Sequence, residues 1–351
     1  MLYQRENPHG GDVYSAPVRL DYSANINPYG TAPAVRAAVE RSLSELFRYP
    51  DPYCRALKAA ASEFDGVPED WLLFGNGAAE LIFSWCLALK PRTALLLAPT
   101  FSEYRSALES VGCTVREHML RAEEDFVLTE RLLEQIRAER PEVLVLCNPN
   151  NPSGKTADQG LLEQVCALCG ELGVRMMVDE CFLDLTENGE THTLKGSLHR
   201  WRHILLLRAF TKSYGMAGLR LGYCISADSA LLEAMSETVQ PWNISVPAQY
   251  AGVAALGERE FLRRTNELIR AERAYLSREL ARLGLRVVPS ETNFILFHSD
   301  RELKGPMLEK GILIRSCANY SGLGEGWYRI AVKLPEENRE LIATMEGIIH
   351  G

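Results

Sequence analysis

Five short apolar runs, each followed at once by turn-formers or polar groups, constrain this chain most. They are Trp71-Leu-Leu-Phe74, Thr93–Ala98, Glu142–Cys147, Val174–Val178 and Ile204–Leu207. None has the polar–apolar alternation of a strand with one wet face, so each suits a strand covered on both sides. Helical periodicity fills the gaps, as in the apolar stretch to Leu89 and in 161–172, where Leu161, Leu162, Val165, Leu168 and Leu172 share a face. Strands alternating with helices predict an α/β fold with a mainly parallel sheet and helices on both faces. In such sheets ligands gather beyond the carboxyl ends of the strands, so the residues there are the first place to look for chemistry.

Those ends are unusually furnished. The first run leads into Gly75-Asn-Gly-Ala-Ala-Glu80 and then a helix, an arrangement that offers backbone N–H groups and a positive dipole end to an anion such as phosphate. Glycine-bounded turns of this kind also occur without any ligand. The second leads to Pro99-Thr-Phe-Ser-Glu-Tyr104, where an aromatic ring either covers a planar ligand or simply packs. After the third stands Asn148-Pro-Asn-Asn-Pro-Ser-Gly154, with more amides than a turn requires. The fourth ends in Asp179-Glu180, and a carboxylate on a central strand calls for a cation. The stretch after the fifth, Arg208-Ala-Phe-Thr-Lys-Ser-Tyr-Gly-Met-Ala-Gly-Leu-Arg-Leu-Gly-Tyr223, carries Lys212. An amine in a poorly hydrated pocket loses its proton more readily and attacks an aldehyde, so Schiff-base chemistry is the functional reading. A solvated loop lysine is the alternative.

The chain has 351 residues, enough for about two domains. Its 38 basic and 46 acidic residues give a formal charge of −8, which argues against nucleic acid or an anionic membrane as partner. No apolar run is long enough to span a bilayer, and the first residues lack the apolar core of a signal peptide, so a cytoplasmic protein is expected. The nine cysteines lie mostly in apolar runs and read as small buried hydrophobes; Cys166 and Cys169 share the face of a helix, and no metal set is formed. Residues 1–30, rich in turn-formers, form an arm that cannot make its own core and either frays or is laid across something else, to meet a polar ligand or simply to pack. Residues 31–240 are expected to make the large domain. The looser succession of helices and strands in 241–351 reads as a smaller α+β domain.

Taken together, the motifs resemble those of fold-type I pyridoxal-phosphate (PLP) enzymes of the aminotransferase superfamily, essentially end to end. Gly75-Asn-Gly77, Asn148–Gly154, Asp179-Glu180, and Thr211-Lys212 followed by Gly218-Leu-Arg220 stand in the family's order. The resemblance implies that pyridoxal 5'-phosphate is the cofactor, that Lys212 forms the Schiff base, and that Asp179 pairs with the protonated pyridine nitrogen. It further implies that Asn151 reaches the ring hydroxyl and that Phe101, rather than Tyr104, stacks on the ring. Ala78, Ala79, Thr211 and Arg220 would hold the cofactor phosphate, with Tyr49 arriving from the neighbouring subunit of a homodimer with shared active sites. Arg315 and Arg329 would bind a substrate carboxylate or other anion, and His9 and Asn27 of the arm a substrate phosphate. Two positions depart from the pattern: Phe182 stands where a tyrosine often reaches the ring hydroxyl, and Ala209 where a serine often binds phosphate.

Within the superfamily, Arg48-Tyr-Pro-Asp-Pro52 is similar to histidinol-phosphate aminotransferases. His9-Gly-Gly-Asp12 with Ser23–Pro28, Asp179-Glu-Cys-Phe-Leu-Asp184, and Leu313–Leu323 look closer to the threonine-phosphate decarboxylases of cobalamin biosynthesis. The expectation is therefore a lyase converting L-threonine O-3-phosphate to (R)-1-amino-2-propanol O-2-phosphate. Transamination of histidinol phosphate, decarboxylation of phosphoserine, and a non-catalytic binder are the alternatives.

Overall fold

A computed structural model describes residues 9–351. Regular structure begins with a two-residue strand, β1 (Leu20–Asp21). Seven strands then build the main sheet: β2 (Leu72–Gly75), β3 (Thr93–Ala98), β4 (Thr114–Met119), β5 (Val143–Cys147), β6 (Arg175–Asp179), β7 (Ile204–Ala209) and β8 (Gly222–Ile225). Their order is β2-β8-β7-β6-β5-β3-β4. Pairing is parallel from β7 to β4, while β8 runs antiparallel to both its neighbours. The mainly parallel α/β sheet expected from sequence is thus present.

The unbroken apolar runs follow from burial on both faces. Along β5, Leu144 and Leu146 enter one core while Val143, Val145 and Cys147 enter the other; along β7, Ile204 and Leu206 oppose Leu205 and Leu207. Edge strand β4 is different. In Thr114-Val-Arg-Glu-His-Met119 only His118 is buried, so this strand carries no apolar signature. It and its flanking helices Glu103–Ser110 and Arg131–Glu139 fill a span that sequence left unassigned.

The second sheet holds β9 (Arg286–Val287), β10 (Phe294–His298), β12 (Arg315–Ser316) and β13 (Trp327–Ala331) in the antiparallel order β12-β13-β10-β9, while β11 (Ile312–Leu313) pairs with β1 in parallel. Helices Arg259–Arg282 and Pro335–His350 cover it through Leu276, Leu280, Leu341 and Met345. Tyr22 of the arm is fully buried in this core and donates to Asn338 Oδ1 at 3.1 Å. The arm is therefore built into the C-terminal unit. Conversely, helix Val246–Leu256 packs with Val35 and Leu57 in the large core, through Ala248, Ala251 and Ala255. A division of the chain at 240 cuts across that packing. The cause is local: Gly252 lies where a Cβ would meet Leu221 Cδ2 at 2.6 Å and Leu57 Cδ1 at 2.7 Å, so this helix approaches closely.

Among the described residues all nine cysteines are free and buried, and no helix is long and apolar enough to cross a membrane. No cluster of His, Cys, Asp and Glu among the described residues suits a metal ion.

Candidate active site

The carboxyl ends of β3, β5, β6 and β7 open into a cavity of about 230 Å³, closed on the far side by the arm and by β12 and β13. Asp179 ends β6, level with Cys147 and Leu207 on the adjacent strands. Its Oδ2 accepts the Tyr104 hydroxyl at 2.6 Å, and its Oδ1 accepts the Cys181 backbone N–H at 2.9 Å. Burial pushes the Asp179 carboxyl above its ordinary value, although these hydrogen bonds and the Lys212 amine pull the other way. Such a carboxylate is poised for a cation that brings a hydrogen-bond donor.

Lys212 sits in a four-residue helix, Phe210–Ser213, directly after β7. Desolvation first, and then the Arg329 guanidinium, lower its amine from an ordinary 10.5 to about 8. Neutral amine is therefore available near physiological pH. Lys212 is half-buried and lines the cavity.

At one end of the cavity, Ala78 and Ala79 begin helix Ala78–Leu89, and Thr211 and Arg220 stand beside them. Gly77 has φ +80°, and a Cβ there would meet Arg220 Nη2 at 2.6 Å. Only glycine leaves room for the guanidinium against the helix N-terminus, where dipole and charge together favour an anion. Gly222 has the same constraint from behind, its Cβ position lying 2.6 Å from Ala78 N.

At the other end Arg329, 6 % exposed, donates through Nη1 to Asn151 Oδ1 and through Nη2 to the Ser23 carbonyl at 2.8 Å. Its Nε is buried with no hydrogen-bond partner. Arg315 lies alongside on β12, opposite Arg329 in the pairing of β12 with β13. His9 completes the wall, with Nε2 2.8 Å from Glu103 Oε1 and its ring 5.6 Å from that of Phe101.

Eleven of the thirteen expected site residues thus line one cavity: His9, Ala78, Ala79, Phe101, Asn151, Asp179, Thr211, Lys212, Arg220, Arg315 and Arg329. Asn27 does not. It is buried behind the site, where Nδ2 donates to the Ser213 carbonyl at 2.7 Å and to Thr265 Oγ1 at 3.0 Å, while its N–H reaches the Lys212 carbonyl at 3.0 Å. The arm asparagine at the cavity is Asn25, whose Oδ1 is buried and has no hydrogen-bond partner among the described residues. An asparagine two positions away on a curled arm cannot be ranked from sequence. Tyr49 lies outside the cavity, 77 % exposed and stacked on Trp242 at 4.4 Å.

Of the three amides in the 148–151 turn, two tie the turn to neighbouring segments. Asn148 bonds the His192 carbonyl and the Ala157 N–H, and Asn150 bonds the Pro99 carbonyl and Thr100. Only Asn151 faces the cavity. Tyr104, weighed above as a stacking ring, is instead a hydrogen-bond donor to Asp179. Phe182 fills the place of the missing phenol by packing edge-on against Phe294 at 5.0 Å.

Pyridoxal 5'-phosphate fits these groups. The buried carboxylate of Asp179 suits a pyridinium, the depressed amine of Lys212 an aldehyde, and the Gly77–Arg220 cradle a phosphate. Asn151 offers an amide to a ring hydroxyl and Phe101 an apolar face.

Comparison with known proteins agrees. A family model described as aminotransferase class I and II matches residues 19–345. The threonine-phosphate decarboxylase of Salmonella typhimurium strain LT2 is 36% identical over 98% of this chain and 97% of its own length. Histidinol-phosphate aminotransferase 1 of Cupriavidus pinatubonensis is 32% identical over 92% of this chain and 86% of its own. Among solved structures, the histidinol-phosphate aminotransferase of Clostridium acetobutylicum superposes with a TM-score of 0.88 at 26% identity, covering 94% of this chain and 99% of that one.

Proposed function

The chain belongs to the class I and II aminotransferase family of pyridoxal 5'-phosphate enzymes, and on that premise we propose that it decarboxylates L-threonine O-3-phosphate. The observation that carries this reading is the 36% identity to the Salmonella typhimurium decarboxylase along almost the whole of both chains. The position of the arm supports it, because His9, Ser23 and Asn25, from the segments that resemble that subfamily, wall the cavity.

Bound here, pyridoxal phosphate supplies an electron sink for the bond broken at the substrate's α carbon. The chain's own residues decide which bond that is. Arg329 holds the carboxylate, using the unpartnered Nε beside the donors already given to Asn151 and Ser23. Arg315, His9 and Asn25 hold the phosphate, so the substrate is fixed at two anionic ends. Two-point anchorage would fix which bond of the α carbon is presented for cleavage. Asp179 keeps a proton on the pyridine nitrogen, oriented by Tyr104 and Cys181. Ala78, Ala79, Thr211 and Arg220 hold the cofactor phosphate. As CO2 leaves, Lys212 Nζ delivers a proton to the α carbon, giving (R)-1-amino-2-propanol O-2-phosphate.

The enzyme works as a cytoplasmic homodimer in this reading. Leu43, Leu46, Phe47, Tyr49 and Tyr53 are all more than half exposed on one short stretch, which suits a surface covered by a second copy that receives Tyr49. A second reading, transamination of histidinol phosphate, is favoured by Arg48–Pro52 and by the relatives that are 32% identical. Incubation with phosphothreonine, and separately with histidinol phosphate plus 2-oxoglutarate, decides between them. We expect CO2 release in the first mixture, abolished in Lys212→Ala. Glutamate formed in the second, with no CO2 in the first, overturns the decarboxylase reading.

A further inference from the structure

Behind the cavity lies a group of buried charges that the chemistry above does not use. Arg208, on β7 and 2 % exposed, extends Nη2 to Glu180 Oε2 at 2.9 Å and Nη1 to Asp184 Oδ1 at 3.2 Å. Glu180 directly follows Asp179 and is held further by Thr193 Oγ1 at 2.8 Å and the Leu194 N–H at 3.1 Å. Asp184 Oδ2 accepts the hydroxyl of Ser213, the residue directly after Lys212, at 3.1 Å. A continuous path therefore runs from Asp179 through Glu180, Arg208, Asp184 and Ser213 to Lys212.

We propose that Arg208, acting through Glu180 and through Asp184 and Ser213, is a positioning residue that sets the separation of Asp179 and Lys212. The inference rests on the assignment of those two residues to the cofactor. Sheet register alone does not set that separation, because it ends with Asp179 opposite Leu207 and Ala209 opposite Gly222. Lys212 stands beyond, on a helix of four residues that is too short to hold itself. Its outer side is tied to the arm by Asn27, which bonds the carbonyls of both Lys212 and Ser213. Its inner side is tied by Asp184 alone among the described carboxylates. Planar guanidinium is suited to the task, since its fork fixes two carboxylates at a set angle, which an ammonium cannot do.

Stability alone is a poor reason for such a group. Arg208 and Glu180 are taken out of water, and Asp184 largely so, where apolar side chains of the same volume would pack at lower cost. What the charges add is directional constraint on two backbone segments that carry reacting groups, and misplacement there is expensive in rate.

The test uses the full chain, stripped of and reloaded with pyridoxal 5'-phosphate, in wild-type, Ser213→Ala, Ser213→Thr, Arg208→Met and Lys212→Ala forms. Ser213→Ala removes one hydroxyl and leaves the ion pairs intact, so it folds even where Arg208→Met does not. The expected result is a kcat lower by roughly tenfold with KM within about twofold, a parallel fall in the rate at which the bound cofactor's visible absorbance develops, and recovery in Ser213→Thr. A melting midpoint lowered in Arg208→Met, with kcat and capture rate unchanged in Ser213→Ala, overturns the proposal and leaves the charges a purely structural role. Persistent covalent capture in Lys212→Ala is a different failure: it removes the assignment of Lys212 itself.

Discussion

The depressed amine of Lys212 makes a quantitative demand on how the cofactor-free chain captures pyridoxal phosphate. Lowering its pKa from 10.5 to about 8 leaves roughly 300 times more neutral amine at pH 7 than an ordinary lysine has. Only the neutral form attacks, so the capture rate should climb about tenfold per pH unit below 8 and level off above it. An ordinary lysine shows no such bend until well past pH 10. The charged groups facing the amine are Arg329 and Arg220, which favour the neutral form, and Asp179, which opposes them. Arg329→Leu removes the larger of the two repulsions, and the bend should move to higher pH. The same shift affects stability with a definite sign. Because the folded chain releases this proton more readily than the unfolded one, the cofactor-free protein should gain stability as pH rises from about 8 to about 10.4 and lack that gain below 8. Stopped-flow absorbance after mixing with the cofactor, buffered from pH 6 to 10, reads the rate. A log-linear rise with no bend by pH 9.5 would refute the reasoning, as would an unmoved bend in Arg329→Leu.

Three further outcomes follow from the geometry. Tyr104→Phe removes the 2.6 Å hydrogen bond to Asp179; a bond to a charged group contributes about 1.5–3 kcal/mol, so cofactor affinity should fall at least tenfold, read by equilibrium dialysis. Gly77→Ala forces a Cβ to 2.6 Å from Arg220 Nη2 at a positive φ; the displaced guanidinium should weaken cofactor binding, read by equilibrium dialysis. Mixing inactive Tyr49→Ala and Lys212→Ala chains should restore about a quarter of native activity after subunit exchange, because half the dimers then carry one intact site; no recovery removes Tyr49 from the neighbour's site.

Much of this was legible before any coordinates. Strand ends β2, β3, β5, β6 and β7 were readable because burial on both faces demands unbroken apolar runs, and the groups following them converge because the parallel strands end on one side. Asp179 and Lys212 stand out for that reason, whereas Arg220 is singled out only by the family resemblance. What sequence could not separate were residues of one type within a turn. Asn148, Asn150 and Asn151 look alike, yet two of them spend their amides on the carbonyls of His192 and Pro99, distant in sequence. Asn25 and Asn27 likewise differ only in which way the arm curls. Tyr104 looked like a spare aromatic because its partner Asp179 is 75 residues away. Strand β4 was silent since an edge strand with one buried side chain needs no apolar pattern. The packing of Val246–Leu256 into the large core was hidden because small residues mark close approach without saying to what.

The arm deserves to be seen as a strap fastened at three points. Leu20 and Asp21 are zipped to Ile312 and Leu313, the Ser23 carbonyl is gripped by Arg329, and Asn27 clasps the backbone of Lys212 and Ser213. Any tilt of the C-terminal sheet must therefore pull on the nucleophile's own turn.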